Sequence, residues 1–163
     1  MAYDLTVTGP QTFALFDLRG APAALDRLAA DALPPWPVRP CSLSRQGERV
    51  LMWLGPDRWL LLAPLAEEDR LEAALCQDHS AGAGITLVSD TLGFFTLSGR
   101  DAGVAMAIAC PLDLHPDAFG PDAAALTDAF GVRALVLRAG AGWLLAVEPA
   151  LSGHVAAQLA QIG

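Results

Sequence analysis

Lysine and asparagine are missing from this chain of 163 residues, and all ten basic side chains are arginines. The absence of lysine excludes a Schiff-base lysine and the lysine of a phosphate-binding loop, because both require a primary amine. The absence of asparagine removes one side chain that could orient a substrate amide. Eighteen carboxylates give a formal net charge of −8, which argues against binding to nucleic acid or to an anionic membrane.

Cysteine and histidine are scarce, with three residues of each. Cys41, Cys76 and Cys110 are far apart and form no C-x-x-C pair, and the histidines lack the spacing of metal ligands. An odd number of distant thiols is typical of proteins in a reducing compartment. The first residues also lack the basic stretch of a secretory signal. The sequence therefore predicts a cytoplasmic protein with no metal site.

Long apolar runs are absent too, although 53% of the residues are hydrophobic. No run approaches the roughly 20 apolar residues that a membrane helix needs. The hydrophobic excess has two open explanations, which are alanine richness and an apolar surface that contacts another subunit. Nucleotide-binding, hydrolase and metalloprotease signatures are missing, so motifs alone do not define a reaction.

The most informative stretch is residues 88–119, VSDTLGFFTLSGRDAGVAMAIACPLDLHPDAF. Its aromatic run at 94–97 predicts a strand, and Ser98 with Asp101 forms an S-x-x-D signal for the start of a helix. Residues 102–109 carry no charged or hydrogen-bonding side chain, which predicts a helix that is buried on several sides. Pro111 then prevents the helix from continuing.

Periodic and alternating apolar patterns elsewhere predict the order strand–helix–strand–strand–helix, and this order occurs twice. Arg49 and Trp59 have counterparts 84 residues later in Arg133 and Trp143, and each Trp precedes Leu-Leu, a proline and a helix. We predict one α+β domain of two pseudo-repeats, with antiparallel sheets flanked by helices. The repeats cover about 12–78 and 88–162, with strands at 12–19, 49–54, 58–63, 85–88, 94–97, 123–130, 132–137 and 143–147.

Two polar groups in the central stretch could carry chemistry. Cys110 follows a predicted helix, where the helix dipole disfavours a thiolate, so a structural thiol is favoured over a nucleophile. His115 with Asp113 and Asp117 could form an acid–base cluster or part of a metal site. The flanking prolines favour a polar contact within a loop instead.

Asp90 and Arg100 are the weak candidates for cofactor-binding residues. Asp90, which follows Ser89, could bind a substrate amine or act as a base, although capping of a turn is favoured. Arg100 could hold a carboxylate or pair near Asp101. Trp59 and Trp143 could form the walls of a pocket, but their matched positions favour packing in the core or at its rim. No residue is assigned a catalytic role.

Three blocks of the sequence resemble the gamma subunit of heterotetrameric sarcosine oxidase. They are LGPDRWLL at 54–61, VSDTLGFFTLSGRDA at 88–102 and CPLDLHPDAF at 110–119, and the last contains the most specific segment. The resemblance covers most of the chain beyond residue 49. That family is related in fold to the folate-binding domain of the glycine-cleavage T-protein, an aminomethyltransferase. This agrees with a duplicated α+β unit.

The resemblance implies a non-catalytic subunit that binds alpha and beta flavoprotein subunits. It places FAD, FMN, NAD and tetrahydrofolate on those partners and no cofactor in this chain. The complex oxidatively demethylates sarcosine and transfers the one-carbon unit to tetrahydrofolate. Two departures, a shorter chain and Arg138 where the family often has histidine, allow a divergent subunit that serves another N-methyl amine oxidase.

Two alternatives stay open at this point. One is a stand-alone folate-binding or aminomethyltransferase-like protein that uses Asp90 or Arg100. The other is a thiol enzyme that uses Cys110.

Overall fold

The computed structural model describes residues 3–76 and 82–163. The chain divides into two compact units, Phe13–Ser89 and a second unit made of Met1–Thr12 with Asp90–Gly163. None of the helices in the described ranges has the length and apolar content needed to cross a membrane. In chain order the main elements are β1 (Thr6–Gln11), β2 (Ala14–Arg19), α1 (Pro22–Ala29), β3 (Leu43–Gln46), β4 (Arg49–Gly55), β5 (Arg58–Ala63), α2 (Glu68–Leu75), β6 (Gly84–Leu87), β7 (Gly93–Ser98), α3 (Ala102–Ala109), β8 (Ala124–Ala129), β9 (Val132–Ala139), β10 (Gly142–Val147) and α4 (Ser152–Ala160).

The unit Phe13–Ser89 contains an antiparallel sheet with the strand order β3-β4-β5-β2-β6. Strand β5 reads RWLLLA and is buried at every position after its first residue. Helices α1 and α2 contribute leucines and an alanine to the same core, because their apolar residues recur on one face. The core of this unit includes Trp59, which is 4% exposed.

The second unit contains an antiparallel sheet with the order β8-β9-β10-β7-β1. Strand β10 reads GWLLAV and is buried along its whole length, between β7 and β9. Helices α3 and α4 supply small and aliphatic residues to a core that includes Trp143, which is 1% exposed.

The predicted α+β class is confirmed, since two antiparallel sheets are combined with helices. The two hairpins and the edge position of β8 are also as expected. Two strands were missed because they carry little apolar signal. Strand β1 (TVTGPQ) is almost entirely exposed and contains a proline, while β3 (LSRQ) buries only Leu43. The predicted end of the first repeat, near residue 78, lies outside the described residues.

Two expectations for the central stretch were wrong. Ser98 is the last residue of β7 and does not cap the helix, which begins after Asp101. The Asp101 carboxylate instead accepts a hydrogen bond of 2.8 Å from the backbone N–H of Asp4. Helix α3 is buried on one face only, because it packs on its own sheet and exposes the opposite side. Its buried residues are Ala102, Ala105, Met106 and Ala109, and its exposed residues are Gly103, Val104, Ala107 and Ile108.

Candidate functional site

Asp90 lies in the short turn between β6 and β7 and is exposed. It lines an open groove of about 580 Å³ together with Arg133 of β9 and Glu148, which precedes α4. Two carboxylates and one guanidinium could pair with a small charged group, but pairs open to water contribute little binding energy. The hydroxyl of Ser89 accepts a hydrogen bond of 3.0 Å from the backbone N–H of Leu15 and so fixes the start of this turn.

Arg100 lies elsewhere, in a second open groove of about 540 Å³ that it lines with Thr96 and Gly142. Its side chain is 81% exposed, and its Nε atom is 3.9 Å from a carboxylate oxygen of Asp101. Asp90 and Arg100 therefore line separate grooves and do not converge on one ligand. A cofactor-binding role for either residue stays a prediction.

Cys110 and the His115 loop have structural surroundings. Cys110 is buried directly after α3, and its sulfur is 4.0 Å from the hydroxyl of Thr127. In the loop, the backbone N–H of His115 donates to the Asp113 carboxylate at 3.0 Å. The backbone N–H of Asp117 points to Nδ1 of His115 at 3.3 Å. Within residues 3–76 and 82–163, no three cysteine, histidine or acidic side chains are grouped as metal ligands would be.

The sequence marked Arg138 only as a departure from the family and did not predict the contacts that it makes. Its guanidinium carbon lies 3.8 Å from the centre of the Trp143 ring. The same group donates hydrogen bonds to the carbonyl oxygens of Phe119 at 3.2 Å and Leu114 at 3.1 Å. Burial lowers the pKa of Arg138 from its ordinary value. An arginine nevertheless stays protonated at neutral pH, so a full positive charge is held against the ring and the two carbonyls.

The loop that Arg138 holds is the CPLDLHPDAF block at 110–119. The centre of the Phe119 ring, in the same loop, lies 5.7 Å from that of Trp143. We name the group of Phe119, Arg138 and Trp143 the Arg138 clamp. Trp143 and Arg138 are paired across the β9–β10 hairpin, which has only two residues between its strands. The hairpin register, readable from the sequence, was the signal that could have placed them together.

The other unit has a comparable group around Trp59. Trp53 is paired with Trp59 across the β4–β5 hairpin, and their rings are 5.0 Å apart. Trp36, in the loop after α1, packs edge-on at 4.9 Å and donates to Asp26 at 2.8 Å. Both matched tryptophans, Trp59 and Trp143, are thus core residues, and each packs against an aromatic ring from the loop that follows the first helix of its unit. Neither lines the grooves at Asp90 and Arg100.

Arg49 makes a second clamp, in the unit Phe13–Ser89. It donates to the Glu67 carboxylate at 2.6 and 2.8 Å and to the carbonyl of Ala32 at 2.8 Å. Hydrogen bonding to Arg49, with help from Arg70, lowers the pKa of Glu67. These contacts tie β4 to the segments that flank α1 and α2, and their role is structural.

A family model described as sarcosine oxidase, gamma subunit family, matches residues 24–158. This chain belongs to the sarcosine oxidase gamma subunit family. The chain is 32% identical over 136 residues to sarcosine oxidase subunit gamma of Corynebacterium sp. (strain P-1), covering 83% of this chain and 66% of that protein. The subunit from Arthrobacter sp. is 34% identical over 91 residues, covering 56% of this chain and 44% of that protein. The chain therefore spans less than two thirds of the length of these gamma subunits.

Two solved structures share the fold of this chain. A chain of the heterotetrameric sarcosine oxidase from Corynebacterium sp. U-96, solved in complex with pyrrole 2-carboxylate, has a TM-score of 0.79 and 26% identity over 95% of this chain and 81% of its own length. The glycine cleavage system aminomethyltransferase T from Bartonella henselae has a TM-score of 0.70 at 16% identity, covering 97% of this chain and 46% of its own. The second likeness shows a shared fold alone, and the expected aminomethyltransferase-like architecture is confirmed.

Proposed function

We propose that this gamma-family chain is a non-catalytic subunit of a sarcosine-oxidase-like flavoprotein complex. The complex would oxidatively demethylate sarcosine or a related N-methyl amine and pass the one-carbon unit to tetrahydrofolate. The observation that carries the proposal is the family membership, together with a likeness over 95% of the chain to a subunit of a heterotetrameric enzyme. A cytoplasmic location is part of the same proposal.

The arrangement of the polar residues supports a docking role. Arg138 and Arg49, the two arginines with the most contacts described above, hold backbone carbonyls or a structural carboxylate. Asp90 and Arg100 are exposed and line separate grooves. The cavity beside Arg138 is about 190 Å³, below the roughly 300 Å³ at which ligand pockets usually begin. We assign FAD, FMN, NAD and tetrahydrofolate to the alpha and beta subunits, as the resemblance to the gamma subunit family implies.

Affinity purification from the native source tests this function. A tagged chain should recover larger partner chains, and the eluate should show the visible absorption of bound flavin. A tag on an unrelated protein of similar charge, expressed in the same cells, is the control. Recovery of the chain as a monomer at its native concentration would contradict the proposal.

The folate-binding alternative has its own experiment. A calorimetric titration of the purified chain with tetrahydrofolate should show no binding at high micromolar concentrations of the ligand. Binding that disappears in Asp90→Ala and persists in Asp31→Ala, the same exchange at an exposed aspartate outside this groove, would replace the docking role with a folate site.

A further inference from the structure

Helix α3 presents an apolar face to solvent that the fold of its own unit does not use. Its outward residues are Gly103, Val104, Ala107 and Ile108, and the side toward the sheet is filled by the four buried residues named above. Val104 is 45% exposed and Ile108 is 56% exposed. Between Asp101 and Cys110 the helix has no side chain that can make a hydrogen bond or carry a charge. Water at this face therefore contacts hydrocarbon and forms no hydrogen bond with a side chain.

Another exposed hydrophobic residue is next in the chain to a backbone contact at the N-terminal end of the helix. Five large hydrophobic residues are exposed within the described part of the chain, and Val104, Ile108 and Tyr3 are three of them. Tyr3 directly precedes Asp4, whose backbone is hydrogen bonded in both directions to Asp101 at the start of α3. We call Tyr3 together with the exposed face of α3 the α3 patch. The remaining two exposed residues, Val38 and Leu65, belong to the other unit.

We propose that the α3 patch is the centre of the surface through which this chain docks on a larger, non-identical subunit of its complex. This inference rests on the proposed function and adds the place of contact. The occupant must be apolar and uncharged where it meets α3, because a partner charge would find no counter-charge or hydrogen bond on residues 102–109. The small residues Gly103 and Ala107 lie one turn apart, in a row beside that of Val104 and Ile108. They permit close approach of a partner helix, since a Cβ at Gly103 would meet no atom within 4 Å.

Charge argues against a second copy of this chain as the occupant. Each chain carries a formal net charge of −8, so a contact between two copies would bring together two surfaces of the same net charge. The contact must also extend beyond α3, because eight residues of helix span only about 12 Å at 1.5 Å per residue. A stable protein–protein interface buries about 800 Å² on each side. The α3 patch is therefore one part of a wider contact with a large partner. The centre of such a contact is poor in charged residues, and a few residues there supply most of the binding energy.

The test uses the full chain co-expressed with the other subunits of the complex from the same source. Ile108→Glu and Val104→Glu place a carboxylate on the patch, and both side chains are exposed enough for the isolated chain to keep its melting temperature. Each should weaken co-purification with the larger subunits at least tenfold in apparent affinity. Val38→Glu is the matched control, because it makes the same exchange at a valine that is 88% exposed in the other unit. It should leave assembly unchanged.

Three outcomes would overturn the inference. Assembly of both carboxylate variants at wild-type affinity would show that the patch is not in the contact. Equal loss in Val38→Glu would show a general effect of added charge. A variant that turns a self-associated wild-type chain into a monomer, with assembly intact, would make a second copy the occupant. Failure of the wild-type chain to assemble would contradict the proposed function itself, which separates the two claims.

Discussion

Replacement of Arg138 by alanine should destabilise the second unit by about 2–4 kcal/mol. The Arg138 clamp contains one cation–π contact, worth about 0.5–2 kcal/mol. It also contains two hydrogen bonds from a charged donor, each worth about 1.5–3 kcal/mol. The separate values do not add fully, because all three contacts involve one side chain. Removal would also take this donor away from the backbone carbonyls of Leu114 and Phe119, and both residues are largely buried.

Urea denaturation followed by far-UV circular dichroism measures the loss. For a chain of this size the midpoint of thermal unfolding should fall by roughly 2–4 °C for each kcal/mol. Arg138→Lys keeps the charge but loses the planar fork, so its stability should lie between wild type and alanine. Arg133→Ala, at an exposed arginine on the same strand, should stay within about 0.5 kcal/mol of wild type. Equal effects of the two alanine variants would refute the reasoning.

Four further predictions concern single sites. Glu67→Gln should lower the free energy of unfolding by up to about 1 kcal/mol above pH 4.5, because the pKa of Glu67 is lowered in the folded chain. In acid titrations this difference should vanish as the pH falls through the pKa of the folded state. Gly142→Ala should cost more than about 2 kcal/mol, since its Cβ would lie 2.3 Å from a carbonyl of β7. Gly103→Ala, in open space on α3, should instead gain up to about 1 kcal/mol in the same denaturation assay. In a native thiol titration Cys41 should react first and Cys110 only on unfolding, and Cys41→Ser should abolish the fast phase.

Local signals in the sequence placed most of the regular structure. The bounds of α3 at 102–109 follow from an apolar run that ends at a proline two residues later. The strands β9 and β10 follow from β-branched and aliphatic residues around a glycine-containing turn. These elements were predictable because the residues that decide them are neighbours in the chain.

The remaining features depend on residues that are distant in the chain. Apolarity alone could not tell whether α3 is buried on all sides or exposes one face for a partner, since both require hydrocarbon. Arg138 was noted as a departure from the family, but its carbonyl partners lie 19 and 24 residues earlier in an irregular loop. Asp90 and Arg100 were named from their positions at turns, and the fold then placed them in separate grooves.

The two sheets have equivalent strand orders, β3-β4-β5-β2-β6 and β8-β9-β10-β7-β1. We propose that they are copies of one duplicated unit whose first strands have been exchanged. Strand β1 is followed after two residues by β2, a spacing that ordinarily predicts a hairpin, yet β1 pairs with β7 and β6 pairs with β2.

The exchange makes residues 1–12 part of the unit that ends the chain. Deletion of 1–12 should therefore destabilise the second unit, because β7 would lose its outer neighbour. Gly163 lies against the side chain of Leu5, so β1 can be re-attached after Gly163 through a short glycine–serine linker. This permuted chain, which begins at Phe13, should recover the wild-type melting temperature. A deletion variant with the melting temperature of the wild type would show that pairing with β1 does not stabilise β7.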